Sequence, residues 1–199
     1  KAGLESEETK KFAVSVLNHM REKLIGYQME YGNLYGLEAT PAESATFRFA
    51  RLDRERFSGI RTAGHEGDTP YYTNSTKLPA DYDGTLQGAL INQDSLQPLY
   101  TTGTVFHVYM ERELEDWKKA RDLLSSMITE HHIPCFTLSP VYTICQTCGY
   151  LPGRQERCPK CNGAADVYSR IAGYYRPVHD WNDGKAQEFR NRIMFRIGE

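Results

Sequence analysis

The sequence predicts an α/β fold in which helices alternate with short strands, followed by a small metal-bound tail. Three observations predict it. Apolar residues recur at helical spacing in two long segments, and short β-rich runs stand between and after them. Four of the five cysteines form two Cys-x-x-Cys pairs near the carboxy terminus.

The elements follow in order. Ser6 is placed to cap a helix, with Glu7 and Glu8 in its first turn. Phe12, Val16, Met20, Leu24, Tyr27 and Tyr31 recur at three- and four-residue steps, a stripe expected to face a core, and Gly32 ends the helix. The stretch from Gly32 to Glu43 is punctuated by glycine and closes on a turn at Pro41. Residues 45–54 read equally as strand or helix. Residues 58–70, rich in Gly, Thr, His and Asp, are expected to be an exposed loop. Residues 84–97 suggest a short helix, and Val105 to Met110 a strand carrying His107 and Tyr109. Leu114, Trp117, Leu124 and Ile128 mark a second amphipathic helix. Cys135 to Leu138 reads as a short buried strand, with Cys135 a core thiol. Composition shifts near Ser139-Pro140, which predicts two units, residues 1–138 and 139–199.

Bulk properties narrow the function. A chain of 199 residues holds one domain with a core, or a larger piece with a satellite. Its 40% hydrophobic content is slightly low for a globular domain, so part of the surface is expected to be buried elsewhere. A net charge of −2 gives no electrostatic case for binding nucleic acid or a membrane surface. No apolar run approaches the roughly 20 residues that span a bilayer. The sequence opens at Lys1 with no initiator methionine and no signal peptide, and reads as a piece cut from something longer and located in the cytoplasm.

Cys145-Gln-Thr-Cys148-Gly149 and Cys158-Pro-Lys-Cys161-Asn162 are matched knuckles. Two intervening residues let both thiolates of a pair reach one ion while backbone amides point at the sulfurs, and the residue after each pair tolerates a left-handed turn. Zn²⁺ in a tetrahedral Cys₄ site fits best; iron in a rubredoxin-like site uses the same ligands. Two disulfides are the other reading, disfavoured by a cytoplasmic setting. A closed Cys₄ site has no open position, so the metal is expected to be structural.

After the knuckles, residues 167–178 read as a strand entering a tight loop at Gly173. Taken alone, Gly173 is a turn glycine needing positive φ. Over nearly its whole length, however, the chain resembles the anaerobic (class III) ribonucleoside-triphosphate reductases of the glycyl radical enzyme family. The resemblance lies in Gly32-Asn-Leu-Tyr35, Leu37-Glu-Ala-Thr-Pro-Ala-Glu43, Tyr72-Thr-Asn-Ser75 with Leu78-Pro79, Tyr100 to His107, the paired knuckles, Arg170-Ile-Ala-Gly173-Tyr174 and Trp181-Asn-Asp-Gly-Lys185.

The resemblance implies the carboxy-terminal part of a ten-stranded α/β barrel over residues 1–138. A zinc-ribbon-like Cys₄ subdomain with a glycyl radical loop follows over 139–199. It implies a stable backbone radical at Gly173, installed by a radical S-adenosylmethionine activase. Loss of an α-hydrogen leaves a planar Cα between a donating amide nitrogen and a withdrawing carbonyl, and no Cβ opposes that planarity. It further implies a thiyl cysteine, an effector site and the remainder of the reductase chain upstream, a ribonucleoside triphosphate substrate, and a homodimer.

Asn74 and Ser75 are candidates to hold ribose or phosphate, or form a strand-end turn bonded to local backbone. Glu38 and Glu43 are either barrel-mouth acids or a solvated face. His65 and His107 are expected to be ordinary. Trp181 and Phe189 are expected to pack the tail, and Arg170, Arg176 and Lys185 to dock it or keep it in solution. Gly184, in Asn-Asp-Gly, reads as a turn. Two other functions remain open: a non-catalytic zinc-ribbon binding module, or a spare-part glycyl radical protein that docks on a damaged reductase.

Overall fold

The computed structural model describes residues 3–65 and 67–197. Lys1 and Ala2, on which the reading of the chain's start rests, and Glu66 in the 58–70 loop lie outside the described residues.

Helix α1 (Glu7–Tyr31) begins and ends where its signals sit. The Ser6 hydroxyl accepts from the Thr9 amide at 3.2 Å, and Gly32 closes the helix at φ 68°. Its buried face differs from expectation. Leu17 is buried, with Ala13, Val14 and Leu24 beside it, against Leu37, Ala39, Leu96 and Tyr100. Of the expected stripe only Leu24 takes part; Phe12 is 68% exposed, and Val16, Met20, Tyr27 and Tyr31 also lie open. The apolar surface of α1 extends more than half-way round, and only one side of it meets a partner among the described residues.

The ambiguous segment is helical: α2 (Glu43–Arg56) buries Thr46 and Ala50, one turn apart. A loop follows, bridged once between Ala63 and Tyr71. Helix α3 (Leu86–Asp94) is capped by Thr85, whose hydroxyl accepts from the Gly88 amide at 3.0 Å.

Strand β1 (Phe106–Met110), helix α4 (Trp117–Glu130) and strand β2 (Phe136–Pro140) form a crossover unit. The strands are parallel with Phe106 opposite Phe136, and parallel pairing needs a long connection, which α4 supplies. Ala89, Leu90, Val108, Met127 and Ile133 make the main core between them. Met127 is the buried anchor of α4; Trp117 and Ile128, expected to face inward, are each 67% exposed. Cys135 is also exposed rather than a core thiol. Its carbonyl accepts from the Phe106 amide at 2.8 Å, so backbone rather than side chain joins it to the sheet.

Val141 carries the chain from this sheet into a second one, its N–H donating to the Met110 carbonyl at 2.9 Å. The division at 138/139 therefore falls inside β2. The second sheet is antiparallel in the order β4-β3-β5-β6, built from β3 (Tyr142–Cys145), β4 (Gly149–Pro152), β5 (Ala165–Arg170) and β6 (Tyr175–Pro177). Helix α5 (Asp183–Asn191) follows, capped by Asn182, whose side chain accepts from the Lys185 amide at 3.0 Å. Trp181 and Phe189 meet edge-to-face at 5.6 Å and pack on Val141 and Ile171.

Gly184 is not a turn residue but lies in the first turn of α5 and is buried. A Cβ there would come within 2.6 Å of the Phe47 Cβ, so its bare backbone lets α5 press against α2. The fold is thus mixed α/β. Among the described residues the parallel sheet has two strands, and no ten-stranded barrel is present.

Candidate metal centre and glycine loop

The knuckles close onto one another. Cys145 ends β3, Gly149 turns the chain at φ 78° into β4, and Asn162 does the same after the second pair at φ 57°. The Sγ atoms of Cys145, Cys148, Cys158 and Cys161 all lie within 4.8 Å of one another. Cys145 and Cys161 are 3.6 Å apart, close to the roughly 3.8 Å edge of a tetrahedron with Zn–S near 2.3 Å. All four thiols are free, which removes the disulfide reading. The Cys148 amide points at the Cys145 sulfur at 3.4 Å. Burial opposes ionisation of Cys158, but the backbone amides of Cys161 and Lys160, together with the Cys145 and Cys161 thiols, outweigh it and bring the thiol down to about 7. Four convergent sulfurs with amides aimed at them fit a tetrahedral metal such as zinc.

The metal centre and the glycine loop sit at opposite ends of β5. Cys145 pairs with Ala165 at one end, and Arg170 leads into Ile171-Ala172-Gly173-Tyr174 at the other. Six residues of strand separate them by about 20 Å. The direct grip on the loop comes from elsewhere. Arg170 donates to the Gly173 carbonyl at 2.7 Å and to the Ser139 hydroxyl at 3.0 Å, and lies over the Tyr175 ring. The Ile171 amide closes the loop on the Tyr174 carbonyl at 3.1 Å. Tyr174 reaches Glu43 of α2 at 3.3 Å, and Tyr175 reaches the Pro140 carbonyl at 3.0 Å.

Gly173 does not have the positive φ that a turn glycine needs. A Cβ built on it meets nothing within 4 Å. Neither backbone conformation nor packing among the described residues demands glycine at this position.

Beneath the loop is a cavity of about 110 Å³, lined by Asn74, Lys77, His107, Ala172, Lys185 and Arg192 among others. Asn74 lines it with a buried Oδ1 that has no partner; Ser75 is exposed, at φ 51°, and does not line it. His107 is not an ordinary surface histidine. Burial first, then the cations around it, push its pKa down to about 3, so it is neutral, and Nδ1 lies 2.8 Å from the Thr137 hydroxyl. Lys185 is 2% exposed, so its role is structural rather than solvating. It donates to Glu188 at 2.6 Å, and Arg192 donates to the other Glu188 oxygen at 3.0 Å. Burial opposes the Glu188 charge, but these two cations hold its carboxyl below the usual range. Arg192 also donates to the Ser169 hydroxyl and the Arg170 carbonyl, each at 3.3 Å, tying α5 to the strand that carries the loop. Sequence reading missed Lys77, Glu188 and Arg192. The i, i+3 and i, i+4 spacing of Lys185, Glu188 and Arg192 was the available signal for the last two.

Comparison with known proteins places the whole of this fold in one family. The family model described as anaerobic ribonucleoside-triphosphate reductase matches residues 1–195. A reductase of that name from Haemophilus influenzae is 24% identical over 95% of this chain and 28% of its own length. One from Enterobacteria phage T4 is 25% identical over 89% of this chain and 30% of its own. A solved anaerobic ribonucleotide reductase superposes with a TM-score of 0.76 at 22% identity, covering 96% of this chain and 29% of that one. The Thermotoga maritima enzyme in complex with dATP and CTP gives 0.71 at 22% identity, over 92% of this chain and 29% of that one. The chain spans less than a third of the relatives it matches, and it belongs to the anaerobic ribonucleoside-triphosphate reductase family.

Proposed function

We propose that this chain is the radical-bearing end of an anaerobic ribonucleoside-triphosphate reductase, with Gly173 as the radical residue. The observation that carries the reading is the freedom around Gly173. A glycine that neither φ nor packing requires, at the tip of a loop fixed on both sides, is there for its Cα–H chemistry. The match over residues 1–195 makes a stand-alone ribbon module a poor alternative, because the knuckles lie inside a much longer shared fold.

In this reading an activase using S-adenosylmethionine removes one α-hydrogen from Gly173. The radical then takes hydrogen from a cysteine thiol supplied by another part of the reductase, and the thiyl abstracts the ribose 3′ hydrogen. The 2′ hydroxyl leaves as water, and the reductase's own reductant supplies two electrons and the protons. Arg170, Tyr174 and Tyr175 keep the loop in one shape, and the carbonyl of Gly173 stays hydrogen-bonded throughout. Zinc held by Cys145, Cys148, Cys158 and Cys161 would supply no chemistry beyond cross-linking β3 to the 158–163 knuckle. Asn74 and Ser75 remain candidate substrate contacts, Asn74 through the cavity and Ser75 only after a change of rotamer or partner. The working enzyme is a cytoplasmic homodimer in this proposal.

The test is oxygen cleavage. Activated protein exposed to air should break at residue 173, giving two fragments whose masses place the cut there. An intact chain after verified activation, or a cut elsewhere, would overturn the assignment.

A further inference from the structure

A line of hydrogen bonds joins β1 to the glycine loop. His107 and Thr137 face each other across the parallel pair, and Ser139 lies two residues beyond Thr137, on the same face of β2. His107 Nδ1 is 2.8 Å from the Thr137 hydroxyl, and that hydroxyl is 2.9 Å from the Ser139 hydroxyl. Ser139 accepts from Arg170 Nε at 3.0 Å, and another nitrogen of the same guanidinium donates to the Gly173 carbonyl at 2.7 Å. Four bonds thus lead from a histidine ring on β1 to the backbone of Gly173.

Proton accounting gives the line a direction. A guanidinium has no acceptor, so Arg170 donates at both of its bonds. Ser139 is 1% exposed, and its own proton needs a partner. The Thr137 hydroxyl accepts it at 2.9 Å; the Tyr175 phenol, which Ser139 also influences, is taken up by the Pro140 carbonyl at 3.0 Å. Thr137 then donates to His107 Nδ1, which leaves the ring proton on Nε2. The ring can play this part because it is neutral: burial first, then the surrounding cations, hold its pKa down at about 3. Each hydroxyl both accepts and donates, and bonds aligned in this way polarise one another.

We propose that His107, Thr137 and Ser139 are positioning residues for the radical: their one-directional chain fixes the Arg170 guanidinium against the Gly173 carbonyl, where its charge draws spin density out of Cα. The proposal deepens the reading of Gly173 as the radical residue and rests on it. The unpaired electron of a glycyl radical is shared by Cα, the amide nitrogen and the carbonyl oxygen. A cation bonded to that oxygen favours the form with negative charge on it, so Cα carries less spin and the stored radical reacts more slowly. The Tyr175 ring, 4.8 Å from Arg170 Cζ, holds the plane of the guanidinium but not its rotation within that plane, and Ser139 supplies that second restraint.

The experiment is electron paramagnetic resonance on the full-length reductase after anaerobic activation. Thr137→Val keeps the side-chain shape and removes the link, and Ser139→Ala removes the acceptor for Arg170. In both, the doublet splitting should widen, because Cα regains spin, and the radical should decay several-fold faster than in wild type. Thr137→Ser restores a hydroxyl and should restore both values. A structural role alone would lower the melting temperature of Thr137→Val and leave the splitting where it was. Wild-type splitting and decay in Thr137→Val and Ser139→Ala, or a change that Thr137→Ser shares, would overturn the proposal. A second measurement needs no radical. Solid-state nitrogen NMR of histidine-labelled, non-activated reductase, assigned with His107→Gln, should show Nδ1 of His107 free of hydrogen; a proton there reverses the chain and overturns the proposal as well. A wild-type enzyme with no doublet would instead overturn the Gly173 reading and with it the role of the chain, while the ring spectrum still reports whether the chain exists.

Discussion

Two glycines eleven residues apart behave oppositely. At Gly184 an added methyl would meet the Phe47 Cβ at 2.6 Å, and neither helix can yield without moving α5 off α2. Gly184→Ala should therefore cost about 1–3 kcal/mol in chemical denaturation. Gly173→Ala meets open space at an ordinary φ and should leave stability unchanged or raise it by up to about 1 kcal/mol. Equal losses at both positions would contradict this. The sequence hid the difference because Asn-Asp-Gly serves equally as a turn and as an N-cap with the first turn of a helix. Lys77 was hidden for another reason: a single lysine in a turn has no periodicity to reveal what faces it. Its burial has a titratable consequence. The ammonium falls from its ordinary 10.5 to about 8 in the folded protein, burial first and Lys185 next among the causes. Between those pH values the unfolded chain holds the extra proton, so stability should rise with pH across that window. Lys77→Met should remove the rise.

At the scale of elements, local signals located helix ends and knuckles well, and failed where partners decide. Ser6 and Gly32 bound α1 as their chemistry demands, and the Cys-x-x-Cys spacing picked out four sulfurs that lie within 4.8 Å of one another and could hold a metal. Residues 45–54 stayed ambiguous because Phe47-Arg48-Phe49 alternates like a strand. The helix is decided by Thr46 and Ala50, which face the interior one turn apart. The stripes of α1 and α4 were misassigned because each helix is apolar over more of its surface than the described residues cover. The second sheet has its own small core around Cys145, Leu151 and Cys158, too small to hold without a cross-link. Stripping the metal with a chelator, or Cys158→Ser, should speed amide hydrogen exchange across residues 140–178 while α3, α4 and β1 keep their protection. Uniform loss of protection over the whole chain would show that the metal holds more than this subdomain.

At the scale of the molecule, the exposed apolar surface and the short span relative to its family tell one story. Phe12, Met29, Leu34, Trp117 and Ile128 are all more than 65% exposed, apolar surface open to a covering partner. Relatives of the family are more than three times as long as the part this chain matches, and further chain is the natural cover for these faces. Phe12→Asp should leave the helicity of this chain unchanged, since Phe12 touches no core here, yet lower the yield of folded full-length reductase. An equal loss in both settings would argue against that cover. The central claim, that the fold exists to present Gly173 as a radical, is tested most directly in the whole activated enzyme. Anaerobic activation of the full-length protein should give an electron paramagnetic resonance doublet from the one α-hydrogen left on the glycine. Gly173→Ala, with its zinc content unchanged, should show no doublet. A doublet that survives in Gly173→Ala would place the radical on another residue and contradict the claim.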